Sequence, residues 1–247
     1  MKTLLLSLAV LLMPACMSAQ DHTDAFTIRI KGMRCEECAH KVKTRLLKEK
    51  GVESLSFDLE KRTATISYDQ TKISPDSIKS ILKGTRYKAS PYNENDTILR
   101  GMGLQMSDMH CQNCANRIMK RMEGMVGIDS IAAHVDSHYV FFRYDANRTC
   151  KAAIREVLGE MGFTPVNYYT SKDISFAYFL IPEDTDVEEA IEMALSLEAV
   201  DDANANKQKH SLAITYANKY TTEEKLLEGL RNAGIKATLP APHTCKE

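Results

Sequence analysis

Two self-overlays constrain this chain more than any composition figure. Displacing the sequence by 76 residues lays Cys35 and Cys38 on Cys111 and Cys114, and Tyr68 on Tyr144, without a gap. Displacing it by 148 lays Gly51-Val52 on Ala199-Val200, Tyr68 on Tyr216 and Leu82 on Leu230, again without a gap. A segment that recurs at a fixed offset is one supersecondary unit built several times. The copies fall at residues 26–92, 98–169 and 173–240, with a tail at 241–247.

Each copy reads the same way. Phe26 to Ile30 alternates as a strand, and Ile28 and Ile30 map onto Leu104 and Met106, which keeps one face apolar. Ala39, Val42, Leu46 and Leu47 recur at helical spacing. Strands are expected at Glu53 to Leu59 and Thr63 to Tyr68, across a charged turn at Glu60-Lys61-Arg62. A second helix opens at Ser74-Pro75, with Ser74, Cys150 and Thr222 in matching cap positions. Last strands are expected around Arg86-Tyr87-Lys88 and Phe163-Thr164. The order βαββαβ predicts an α+β chain of three tandem ferredoxin-like domains, two helices on a four-stranded antiparallel sheet in each. Polar linkers such as residues 93–97 predict beads that reorient rather than one fused core.

The first residues, MKTLLLSLAVLLMPACMSAQ, place Lys2 before an apolar run that ends in small residues, the layout of a secretory signal over 1–19. An exported, periplasmic protein is therefore expected, with lipidation of Cys16 as the competing outcome. No other apolar segment is long enough for a membrane helix, so an integral membrane protein is not expected. The formal net charge of -1 gives no whole-molecule reason for a nucleic-acid partner.

The cysteine pairs carry the chemistry. Each C-x-x-C falls between the first strand and the first helix, where free backbone N–H groups and the positive helix end favour thiolate over thiol. Two soft thiolates on one exposed loop suit a soft ion such as Cu(I), and the lack of a closed four-ligand cage leaves the ion open to a partner's thiols. Zn(II) and Hg(II) are the other ions such a pair accepts. The stretches GMRCEECAHKV (32–42) and DMHCQNCANRI (108–118) resemble the heavy-metal-associated domain family of metallochaperones and P-type ATPase metal-binding modules. The resemblance covers two copies, and only the apolar skeleton of the third.

It implies Cys35, Cys38, Cys111 and Cys114 as metal ligands, and Tyr87 and Phe163 as the loop aromatics beside the metal. It also implies a metal-transporting membrane protein or another carrier as partner, and no enzymatic turnover. Met33 and Met109 are expected to fill the core.

His110 precedes Cys111 where the first copy has Arg34, which makes it a candidate extra ligand that broadens the second site toward Zn(II). His22 is a candidate ligand in an amino-terminal Cu(II) or Ni(II) site if cleavage follows Ala19. The third copy has no cysteine pair. Glu183, Asp184, Asp186, Glu188 and Glu189 crowd its helix start, where carboxylates cap the helix and offer a candidate interaction surface. The copies carry 15, 8 and 6 Lys/Arg against 8, 7 and 13 Asp/Glu, so their net charges run +7, +1 and -7. That gradient makes the third copy a candidate docking surface, for the first copy or for a basic partner. A thiol–disulfide redox protein and an adaptor with closed disulfides are the readings from other classes. Cys150 and Cys245 stay open between pairing, bridging and remaining free.

Overall fold

The computed structural model describes residues 22–240. The expected signal at 1–19, Cys16, and Cys245 in the tail lie outside the described residues. The chain divides into two compact units, 1–92 and 93–247, which are taken separately.

In the first unit, β1 (Thr23–Lys31) is followed by α1 (Glu36–Leu46), β2 (Val52–Asp58), β3 (Thr63–Asp69), α2 (Pro75–Ile81) and β4 (Lys88–Pro91). The antiparallel sheet has the order β2-β3-β1-β4. Alternation decides its faces: Ile28, Ile30, Ala64, Ile66 and Tyr68 point to the helices and are buried with Val42, Leu46, Ile78 and Leu82. Ser74 caps α2 by accepting from the Ser77 N–H, and Pro75 fits the first turn, where its missing donor costs nothing. The strand expected at residues 86–88 begins only at Lys88, so Tyr87 belongs to the loop before it.

The second unit holds two such arrangements. Its first half is β5 (Leu99–Gln105), α3 (Gln112–Glu123), β6 (Ile128–His134), β7 (Tyr139–Asp145), α4 (Lys151–Glu160) and β8 (Val166–Asn167), in sheet order β6-β7-β5-β8. Phe163 and Thr164, expected in a strand, lie in the loop before β8. Its second half is β9 (Ile174–Leu180), α5 (Val187–Ser196), β10 (Val200–Asn206), β11 (Ser211–Ala217) and α6 (Glu223–Asn232), with sheet order β10-β11-β9. A fourth strand is reduced here to one bridge, Leu180 with Thr238. The caps recur as expected: Cys150 accepts from the Ala153 N–H and Thr222 from the Lys225 N–H.

Backbone details repeat with the same offsets. A bulge follows Val52, Ile128 and Val200, at the start of β2, β6 and β10. The residues just before those bulges, Gly51, Gly127 and Ala199, all have positive φ, as do the hairpin residues Arg62, His138 and His210. Ala199 holds at φ 65° a conformation its sister positions give to glycine.

The expectation of independent beads fails within the second unit, because its halves share an interface. Ser211, Ala213 and Thr215 would face solvent on a lone sheet, yet all three are buried. Small side chains there let the neighbouring half approach the strand closely. Arg155 of α4 pairs with Asp202 of β10, with Nη1 3.2 Å from Oδ1, and Asp202 Oδ2 accepts from the Asn167 N–H at 2.8 Å. Asn204 donates to the Pro165 carbonyl at 2.8 Å. Side chains of β10 thus satisfy the open edge of β8, which would otherwise expose its backbone groups.

Candidate metal centres

Both cysteine pairs are built by the same backbone. The first strand of each repeat ends, a short loop carries a buried methionine, and the first cysteine takes an extended conformation as helix N-cap. Cys35 has φ -151° and ψ 165°, and Cys111 has φ -151° and ψ 163°. Met33 and Met109 are fully buried and anchor each loop to its core. The first cysteine of each pair is exposed, Cys38 is buried and Cys114 is half-buried. The two Sγ atoms are 2.7 Å apart in the first pair and 3.3 Å in the second, and all four are free thiols. Two sulfur atoms at a helix start can therefore turn to one ion.

The electrostatics of the pairs differ. The Cys38 thiol is pulled down to about 7, chiefly by its hydrogen bond with Cys35, then by the Arg34 backbone N–H, with the Arg86 charge contributing. Arg86 donates to Cys38 Sγ at 3.3 Å and to the Tyr87 hydroxyl at 2.9 Å, with its guanidinium 5.0 Å from the Tyr87 ring centre. In the second pair Cys111 is the lowered thiol, first through backbone donation from Cys114, then through the Cys114 side chain, with a smaller contribution from Arg117. That cation comes from helix α3, and it lies 5.9 Å from the Phe163 ring centre. Tyr87 and Phe163 are both buried, and Tyr87 shares an apolar cluster with Cys38.

The other candidate residues are placed differently. The His110 ring meets His138 edge to face at 5.9 Å, and His138 Nδ1 is 2.9 Å from the Met109 carbonyl. Among the described residues, no three His, Cys, Asp or Glu side chains converge as a metal cage around His110 or elsewhere. The amino-terminal site expected at His22 draws on residues 20–21, outside the described residues. Glu183, Asp184, Asp186, Glu188 and Glu189 are all exposed at the start of α5, and Asp186 is the cap, accepting from the Glu188 and Glu189 N–H groups. Sequence reading missed Arg86, Arg117 and Thr164, because an isolated cation or hydroxyl carries no spacing signal.

Among the described residues no helix is long and apolar enough to cross a membrane.

Comparison with known proteins gives the family. The profile of the heavy-metal-associated domain matches residues 27–88 and 104–164. The chain is 32% identical over 60 residues to the copper chaperone CopZ of Staphylococcus haemolyticus, covering 24% of this chain and 88% of that protein. It is 27% identical over 137 residues to the copper-exporting P-type ATPase of Staphylococcus saprophyticus, covering 56% of this chain and 16% of the ATPase. It is 20% identical over 210 residues to Copper-transporting ATPase HMA4 of Oryza sativa subsp. japonica, covering 83% of this chain and 21% of that one. The chain thus spans about a fifth or less of the length of these ATPases. Among solved structures, oxidized MerP from Ralstonia metallidurans CH34 aligns at 27% identity and TM-score 0.27, covering 29% of this chain and 99% of that one. With one matched segment around each cysteine pair, the chain belongs to the heavy-metal-associated domain family.

Proposed function

We propose that this protein is an exported carrier of a thiophilic ion, Cu(I) foremost, which it holds at Cys35/Cys38 and at Cys111/Cys114. It passes the ion by thiolate exchange to a metal-transporting membrane protein or another carrier, without chemical turnover. One observation carries the reading: each pair puts two thiols at a helix start, and among the described residues no third His, Cys, Asp or Glu converges on them. Such a site suits a low-coordinate soft ion and stays open to an incoming thiolate. The copper chaperone and copper ATPases among its relatives favour Cu(I) over Zn(II) and Hg(II). Tyr87 and Phe163 would shield the ion from water. Export rests on the leader-like first residues. Residues 173–240 read as a third, degenerate copy, a reading supported by the matching bulges and positive-φ residues.

Anaerobic titration of the reduced protein with Cu(I) against a chromophoric chelator tests this. Binding should fall by one equivalent in Cys35→Ser/Cys38→Ser and by another in Cys111→Ser/Cys114→Ser. No retention against the chelator would reject the carrier role. The lowered Cys38 thiol also favours a second reading, a thiol–disulfide exchange protein using the same pairs. Turnover of a disulfide substrate by the reduced protein, without tight metal binding, would select it.

A further inference from the structure

The loop that carries the aromatic residue is open in the first repeat and enclosed in the second. Arg86, Lys88 and Ser90 are exposed, whereas residues 162–166 are buried without interruption. The groups that enclose them come from the β10–β11 hairpin. Asn206 donates to the Gly159 carbonyl at 3.0 Å and to the Phe163 carbonyl at 2.9 Å. Its Oδ1 accepts from the Gln208 and Lys209 N–H groups, so one amide shapes the hairpin and grips the loop together. Lys209 lies over Gly162, where an added Cβ would stand 3.1 Å from its Cε. Gly162 is the position that Arg86 fills in the first repeat.

The metal loop is tied in as well. In the first repeat it meets the aromatic loop through backbone: Gly32 has φ +96°, and an added Cβ would stand 2.8 Å from the Arg86 carbonyl oxygen. Asp108 takes that place in the second repeat, and its Oδ2 accepts from the Thr164 hydroxyl at 3.0 Å. A hydroxyl has one proton, so Thr164, having donated it to Asp108, accepts from the Ser211 hydroxyl 2.6 Å away. The chain Ser211 to Thr164 to Asp108 runs from the third segment to the loop three residues before Cys111. Ser211 and Thr164 are fully buried, which makes the loss of either hydroxyl felt by its neighbour.

We propose that the third segment is a positioning element for the second metal centre. Through Ser211 and Asn206 it holds the two loops that flank Cys111 and Cys114, and metal exchange there is slower than at the first pair because of it. The first pair draws its supports, Gly32, Arg86 and Tyr87, from its own repeat. Loss of the cysteine pair from the third segment is then no loss of purpose, since its outer sheet face has become the support. The metal half of this inference rests on the carrier reading; the positioning half does not.

The test uses the full chain, reduced, with Ser211→Ala, Thr164→Val and the hydroxyl-retaining Thr164→Ser. In metal-free protein, amide exchange at residues 111–115 should quicken roughly fivefold to tenfold in Ser211→Ala and Thr164→Val, the effect of one buried hydrogen bond. Amides of residues 35–39 should be unchanged, β11 amides should stay protected, and Thr164→Ser should behave as the parent. With Cys35→Ser/Cys38→Ser in the background, Cu(I) release from the second pair to a chelator should quicken by a similar factor. Unaltered exchange at 111–115, an equal change at 35–39, or a Thr164→Ser as perturbed as Thr164→Val would each overturn the proposal. If the parent second pair retains no Cu(I), the carrier reading falls, and the amide measurements still decide the positioning role.

Discussion

Arg86 Nη2 lies 3.3 Å from Cys38 Sγ and 2.9 Å from the Tyr87 hydroxyl, so one guanidinium joins the inner thiol to the loop aromatic. Its counterpart in the second repeat is Gly162, and the cation that helps lower the Cys111 thiol comes instead from helix α3 as Arg117. The two centres share a backbone and differ in where their positive charge comes from.

The first prediction is for pH. The Cys38 thiol sits at about 7, below the ordinary thiol value of about 8.5, so its thiolate prevails above pH 7 and protons displace it as pH falls through that value. Alkylation of the first pair should therefore rise through about pH 7, followed by mass spectrometry of the modified peptides. In Arg86→Met the midpoint should move upward, while the second pair keeps its profile. An unmoved midpoint would show that the hydrogen bonds from Cys35 and the Arg34 N–H suffice without the guanidinium.

A second prediction concerns the loop junction of the first repeat. Gly32→Ala combines positive φ with a Cβ 2.8 Å from a carbonyl oxygen, a contact that backbone must move to relieve. Unfolding of the first unit should weaken by roughly 1–3 kcal/mol, read by denaturant titration. Cu(I) affinity at the second pair should be retained.

The interface gives a third. Asp202 accepts from Arg155 and from the Asn167 N–H, and its side chain is 13% exposed. Asp202→Ala strands both donors, and the second unit should lose about 2–3 kcal/mol, less than a fully buried pair because Arg155 retains some solvent. Protection of β8 and β10 amides should fall first. Unchanged stability would mean that the apolar contacts alone hold the two halves together.

A gain is expected at Ala199. Its φ of 65° costs an L-residue about 1–2 kcal/mol, and glycine relieves that while adding about 0.4–1 kcal/mol of unfolded-state entropy. Ala199→Gly should be stabilising by several tenths of a kcal/mol to about 1, seen as a higher melting temperature. A lower one would show that the Ala199 methyl makes contacts worth more than the strain.

Much of the fold was legible because its signals are local. Alternation at Ile28 and Ile30, helical spacing at Val42 and Leu46, and the caps at Ser74, Cys150 and Thr222 depend on neighbours a few residues away. The cysteine pairs were legible for the same reason: their spacing alone sets both thiols at a helix start. The last strands were misplaced by a few residues because Tyr87 and Phe163 are buried loop residues, and so imitate strand residues.

By itself the sequence determined the repeat, the strand and helix order and the four thiols, since each is written in period, offset or motif. Tertiary structure alone decided that the segments 98–169 and 173–240 form one unit. Ser211, Ala213 and Thr215, with Asp202, Asn204 and Asn206 on the neighbouring strand, read as a solvent-facing stripe of small polar residues. Only contact with the Thr164 loop shows that they are an interface. Polarity on a strand records what its groups can bond to, and whether the partner is water or another repeat depends on packing that no local pattern encodes.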